Sequence, residues 1–210
     1  MPNRPYLGVE TRGIRTRLNP TLERRYSMEI ILLNGNPYGQ NVSFDEYLEH
    51  LETKLRSDGH SVTNFKLRDM DIHYCIGCLD CWIKTPGMCV TEDQGREICK
   101  AYVNADFVLW ASPVIMGFYS ALLKKVTDKF VGLVHPYGEF VDGEVHHFPR
   151  YDKYPLTGLL LEKDADTDDE DIEITSTIHS RTTLNFKSST VFTKITSVPV
   201  EEVADAIMRI

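Results

Sequence analysis

From Met28 onward the hydrophobic and polar positions alternate between strand and helix periods, and that alternation predicts a doubly wound sheet. Glu29-Ile30-Ile31-Leu32-Leu33 is a short, nearly continuous apolar run, the pattern of a strand covered on both faces. Phe44, Tyr47, Leu48, Leu51 and Leu55 then recur at helical spacing, and Gly59 is placed to end that helix. Val62 to Leu67 is more polar and reads as an edge strand. Glu97 to Val103 reads as a helix, and Asp106 to Ala111 as a second central strand. Tyr119, Leu122, Leu123, Val126 and Phe130 repeat the helical spacing. Leu156–Leu161 and Thr190–Ile195 supply strands four and five, with a helix from about Asp168 to Leu184 between them. Val203, Ala204 and Ile207 begin a C-terminal helix. Five strands with intervening helices predict an α/β, doubly wound, five-stranded parallel sheet.

Two stretches fall outside this rhythm. Residues 1–27 are rich in Arg and Pro, lack periodicity, and read as an N-terminal extension to a domain over 28–210. Residues from about 134 to 155 read as an inserted loop with Asp142-Gly143 as a hairpin signal. Its aromatics, Tyr137, Phe140, Phe148, Tyr151 and Tyr154, are too dense to be left in water, so a subunit interface beside the ligand is expected.

Composition narrows the partners. With 31 acidic against 23 basic residues the net charge is −8, which argues against general affinity for nucleic acid or anionic membrane. No apolar run is long enough to span a bilayer, and the first residues lack a signal-peptide core, so a cytoplasmic address is expected.

The chemistry concentrates in three segments. Sheets of this kind bind ligands beyond the carboxyl ends of their strands. After strand one, Asn34-Gly35-Asn36-Pro37-Tyr38-Gly39-Gln40-Asn41-Val42-Ser43 leads into a helix, where backbone N–H groups and the helix dipole can cradle a phosphate. It is neither a Walker A sequence nor G-x-G-x-x-G, and an ordinary strand-to-helix turn stands beside the phosphate reading. After strand three, Ser112-Pro113-Val114-Ile115-Met116-Gly117-Phe118 puts apolar residues where the sheet surfaces, either over a flat ligand or beneath the next helix. The third segment holds four of the chain's five cysteines: Cys75, Cys78, Cys81 and Cys89, spaced C-x2-C-x2-C-x7-C. Such a run points to a metal, a cluster or thiol redox chemistry. Gly77 and the Thr85-Pro86-Gly87 corner allow the loop to fold back on itself. The third gap is longer than in ferredoxin runs and Val90 stands where Pro would follow, so a reduced loop walling a ligand is the alternative. Two other clusters carry less: the acids of 164–171 lack the Gly and final Glu of a calcium loop, and His146-His147 have no zinc spacing.

Taken together, Leu33 to Pro37, Cys75-Ile76-Gly77-Cys78, Cys81-Trp82, Lys84-Thr85-Pro86-Gly87, Cys89, Ala111-Ser112-Pro113 and Ser120 to Lys125 with Asp128 resemble the flavodoxin-like NAD(P)H-dependent FMN reductases, in the branch overlapping the iron–sulfur flavoproteins. The resemblance runs over roughly residues 28–210 and implies sheet order 2-1-3-4-5. It implies FMN, with phosphate contacts from Asn36, Tyr38, Asn41 and Ser43 and ring contacts from Pro113, Val114, Ile115, Met116, Gly117 and Phe118. It further implies NAD(P)H as donor, a small-molecule or protein electron acceptor, a homodimer or homotetramer, and a [4Fe–4S] cluster if the four cysteines bind one. The chain departs from the family loop: Asn36 stands in place of a Ser and Tyr38 in place of an Arg, which removes a charge-assisted grip on phosphate. A flavodoxin-like module that binds without catalysis is the reading from outside the enzymes.

Overall fold

A computed structural model describes residues 27–210; the N-terminal extension, apart from its last residue, lies outside the described residues. In chain order the elements are β1 (Glu29–Asn34), α1 (Val42–Ser57), β2 (Ser61–Lys66), a 3-10 turn at Leu67–Asp69, α2 (Asp80–Ile83) and α3 (Gly95–Asn104). They continue through β3 (Phe107–Ile115), β4 (Phe118–Tyr119), α4 (Ala121–Lys129), a second 3-10 turn at Phe130–Leu133, β5 (Val134–Val141) and β6 (Glu144–Pro149). The chain ends with β7 (Leu156–Glu162), α5 (Asp169–Leu184), β8 (Thr190–Ile195) and α6 (Val200–Met208).

The main sheet runs β2-β1-β3-β7-β8 with every neighbouring pair parallel, the expected 2-1-3-4-5 order, and β4 pairs back antiparallel on β3. The pleat explains why the apolar runs are continuous. Ile30, Leu32, Phe107, Leu109 and Leu160 face α1 and α6, joining Phe44, Leu48, Leu51, Val203 and Ile207 in one core. Ile31, Leu33, Val108, Trp110 and Leu159 point the other way, into a second core with Ile98, Tyr102, Leu123 and Val126 of α3 and α4. The central strands β1, β3 and β7 are buried on both faces and leave only their ends for a ligand, while β2 and β8 are half-exposed edges.

Two expectations change. The inserted segment is an antiparallel hairpin of β5 and β6 rather than a loop. Val141 pairs with Glu144 across Asp142-Gly143, both at positive φ (50° and 84°), the conformation a two-residue hairpin turn demands. Its aromatics part company: Tyr154 is buried in the second core, whereas Phe140 is 81% exposed and Tyr137 and Phe148 are also exposed. Among the described residues no helix is long and apolar enough to cross a membrane.

Candidate functional site

The β1–α1 loop is held from beneath by a buried polar cluster. Asp45, in the first turn of α1, accepts from Asn34 (2.8 Å) and Asn36 (3.2 Å) and pairs with Arg68 at 2.6 Å. Burial pushes the Asp45 carboxyl up, but hydrogen bonds from Arg68, Asn34 and Asn36 outweigh it and hold it below the ordinary value. The Asn34 side-chain oxygen accepts from the backbone N–H of Asn36 at 2.9 Å, and that of Asn36 from Tyr38 N–H at 3.0 Å. Asn36 is fully buried, so its side chain shapes the loop instead of facing a ligand. Any phosphate contact from Asn36 would therefore run through atoms other than its side-chain amide. The reason lies in its neighbours: Asp45 and the Asn41 carbonyl engage its amide before any ligand can.

Asn41 caps α1, its Oδ1 accepting from Phe44 N–H (3.4 Å) and from the Ser43 hydroxyl (3.0 Å). Its Nδ2 donates to the Glu162 carboxylate at 2.5 Å, tying the loop to the end of β7. Tyr38 and Ser43 are exposed at the same rim. The neighbouring β3–β4 loop is locked against this one. Gly35 N–H donates to Ala111 O (2.8 Å), and the Ser120 hydroxyl donates to Gly35 O (2.5 Å) while capping α4. A Cβ on Gly35 would come within 3.0 Å of Ala111 O, Leu123 Cβ and Ser120 Oγ, so only glycine allows this approach.

β3 runs further than expected, through Pro113 to Ile115, and turns at Met116-Gly117 (φ 52° and 75°) into β4. Pro113 and Val114 are therefore buried in the sheet, so any contact of theirs with a ligand's ring is made at the strand's end. Ile115, Gly117 and Phe118 are partly exposed, and Met116 is 100% exposed at the tip. An exposed thioether on a tight turn, beside a helix N-terminus, is an apolar platform next to a set of backbone donors.

The four cysteines of the run line one cavity, together with Lys129 and Val131 among others. They are free thiols, and Cys81 senses the rest: burial pushes its thiol up, and Cys89, Cys75 and Cys78 push further. Cys99 stands apart, its thiol pushed up to about 12 by burial, and packs as a small, partly buried hydrophobe against the second core. The lining of this cavity includes no residue of the β1–α1 or β3–β4 loops and draws on the far end of α4, about 12 Å along the helix from Ala121. The segment from Leu67 to Gln94 explains this by crossing α4 lengthwise: Lys125 stacks over Tyr74 (5.0 Å) and Gly132 meets Cys81. Arg96 fixes the loop by donating to the carbonyls of Cys89 (2.8 Å) and Val90 (3.0 Å). Trp82 donates to the carbonyls of Val131 and Val134, and its ring lies 5.3 Å from that of His147 on the hairpin.

Lys129, which lines the cavity, belongs to a residue pair that sequence reading missed. Lys129 and Asp93 form an ion pair at 2.8 Å with side chains 1% and 0% exposed. Lys129 Nζ also lies 3.9 Å from Cys89 Sγ. Neither residue belongs to a recognisable motif, and only Gly95, where a Cβ would strike Lys129 Cδ at 2.6 Å, hints at the packing.

A doubly wound parallel sheet with a glycine-tight loop at a helix N-terminus and an apolar tip on the adjacent strand defines the flavodoxin-like class of small-cofactor binders. Within it, the model of the NADPH-dependent FMN reductase family matches residues 28–142, and the chain belongs to that family. An iron–sulfur flavoprotein of Methanocaldococcus jannaschii is 31% identical over 102 residues, 49% of this chain and 51% of the relative. One from Archaeoglobus fulgidus is 31% identical over 113 residues, 53% of this chain and 47% of the relative. The chain thus spans about half the length of the curated relatives it matches. Among solved structures, an azoreductase from Bacillus anthracis superposes with a TM-score of 0.60 at 12% identity, covering 87% of this chain and 100% of that one. An NAD(P)H:quinone oxidoreductase from Methanothermobacter marburgensis gives 0.56 at 18% identity, covering 88% and 96%. These likenesses bear on the fold.

Proposed function

We propose that this chain is a flavin-dependent oxidoreductase that takes electrons from NAD(P)H and passes them to a small acceptor such as a quinone or a second flavin. The observation that carries it is the pairing of the capped α1 N-terminus with the exposed Met116 tip on two interlocked loops, in a chain of the FMN reductase family. FMN, when bound, supplies hydride acceptance from a nicotinamide and onward release of electrons singly or in pairs. The chain's own residues bind and orient. The first N–H groups of α1 and the Ser43 hydroxyl receive the flavin's tail, and Ile115, Met116 and Phe118 exclude water from one face of its ring. Tyr38, at the rim, closes the same edge. Asn36 and Asp45 hold this arrangement from below. The site fits the ring better than the phosphate, since no lysine or arginine lies in residues 34–43.

A second reading is favoured by the cysteine cavity and by the iron–sulfur relatives: Cys75, Cys78, Cys81 and Cys89 hold a [4Fe–4S] cluster that serves electron transfer. Among the described residues no three metal-ligating groups converge as a single ion requires. What supports the reading is that all four cysteines line one void, and a [4Fe–4S] cluster takes one thiolate per iron. The exposed Phe140 and Tyr137 of the hairpin support a homodimer or homotetramer that covers them, and the whole is read as a cytoplasmic protein.

The test is an absorption spectrum of protein purified without oxygen, with flavin, iron and acid-labile sulfide quantified, followed by NADH and NADPH oxidation with a quinone present. Flavin bands with pyridine-nucleotide turnover are expected. A protein that takes up no flavin at all would refute the primary reading, and one with flavin but no labile sulfide would refute the second.

A further inference from the structure

One contact at the flavin loop works against the phosphate of FMN. Under the flavin reading above, that phosphate falls at the start of α1, where Asn41 caps the helix. Asn41 is already joined there, at 2.5 Å, to the carboxylate of Glu162. Glu162 is the last residue of β7 and pairs in register with Pro113 of β3, so its position is set by the sheet and not by a wandering loop. A carboxylate at a helix N-terminus satisfies the same dipole and donors that would otherwise favour a phosphate.

Among the described residues, the cations beside these loops are already engaged. Arg68 is committed to Asp45 by two hydrogen bonds, at 2.6 and 3.1 Å, with a longer one to Asn36 O. Lys163, adjacent to Glu162, pairs with Asp169 at 2.8 Å. The stretch 162–171 holds seven acids and one lysine, and it touches the second loop as well. Asp171 Oδ1 lies 2.7 Å from the Cβ position of Gly117. One acidic segment thus borders both the tail and the ring ends of the site.

We propose that Glu162 sets the flavin-tail selectivity of this chain. Its carboxylate repels the phosphate of FMN, so a flavin with an uncharged ribityl tail binds at least as well, and FMN is an exchangeable ligand rather than a tightly held one. The ring, gripped by apolar contacts at the Met116 tip, is indifferent to this charge. The repulsion between a carboxylate and a phosphate dianion a few ångströms apart at a half-buried site is large enough to change affinity tenfold or more.

Fluorescence titration with riboflavin and with FMN, on the wild type and on Glu162→Gln, tests this. Glutamine keeps an oxygen to accept from Asn41, so the loop retains its shape. FMN affinity is expected to rise about tenfold or more in the variant while riboflavin affinity stays within about twofold. A wild-type measurement stands independently of the variant's folding. Raising salt from about 20 to about 500 mM should strengthen FMN binding and leave riboflavin unmoved, because screening weakens the repulsion. The proposal is overturned if Glu162→Gln leaves FMN affinity unchanged, or if both flavins shift together. It is also overturned if salt weakens FMN binding to the wild type. Failure of both flavins to bind either protein would refute the flavin reading itself, and the selectivity with it.

Discussion

Replacing Asp93 with Asn removes one charge from an ion pair that has no access to water. The Lys129 ammonium is left buried against Cys89 without its counter-charge, and one carboxylate oxygen becomes an amide nitrogen. Asp93 uses its two oxygens separately, accepting from Gly95 N–H at 3.0 Å and from His73 N–H at 2.8 Å, so one backbone donor also loses its acceptor. Breaking one side of a buried pair costs about 3–5 kcal/mol, against a total of about 5–15 kcal/mol for a domain. Removing both charges should cost less than removing one, because a buried pair and a well-packed apolar pair are close in energy. Urea unfolding of wild type, Asp93→Asn, Lys129→Met and the double variant closes a thermodynamic cycle, with an expected coupling of about 2 kcal/mol or more. Burial pushes the Asp93 carboxyl up, but Lys129 and the two N–H groups outweigh it, so its folded value lies below the ordinary one. The pair's contribution should therefore be complete above about pH 4 and lost as pH falls towards the folded value. A single-variant loss under about 1 kcal/mol, or strict additivity, would refute the reasoning.

His179, fully buried against Trp110 with Thr157 as its partner, is held down to about 3 by burial. The unfolded chain protonates near pH 6.5 while the folded one does not. Stability should accordingly drop by about 2–3 kcal/mol between pH 6.5 and 4.5, and a His179→Gln variant should flatten that part of the curve in pH-dependent denaturation. Gly117→Val places a branched side chain at φ 75° and into Asp171, so flavin affinity should fall tenfold or more with the far-ultraviolet spectrum intact; unchanged affinity would move the ring elsewhere. Under the cluster reading, single Ser substitutions at Cys75, Cys78, Cys81 or Cys89 should each abolish iron uptake without releasing flavin, since the cavity and the flavin loops share no lining residue; simultaneous loss of flavin would show that they do communicate.

Periodicity made the strands readable because β1, β3 and β7, covered on both faces, leave apolar runs that turns interrupt, while β2 and β8 keep the more polar pattern of edges; their order came from the family resemblance. Phe44 to Leu55 and Ser120 to Val126 were legible for the same reason. The site was legible only at the level of loops. Asn36 looked like a ligand contact because amides in a Gly-containing loop suit phosphate, but the partners that claim it, Asp45 and Arg68, lie 9 and 32 residues away. Residues 112 to 115 read as the loop after strand three because the apolar run was ended at Ala111, whereas β3 continues to Ile115. The cysteine loop's path from Leu67 to Gln94 depends on Arg96, Trp82 and the Lys129–Asp93 pair. No spacing rule encodes contacts between residues so far apart in sequence.

The polar cluster beneath the β1–α1 loop has a kinetic consequence. Asn34, Asn36 and Asp45 fix the backbone from Gly35 to Asn41 through contacts made within the protein, so the loop has its binding shape before any ligand arrives. Little ordering entropy remains to be lost on association, and no slow rearrangement need precede it. Stopped-flow traces of flavin capture should then be single-exponential with a rate linear in ligand concentration. The amides of residues 35–41 should exchange with deuterium at much the same rate with and without flavin, marking a template rather than a clasp.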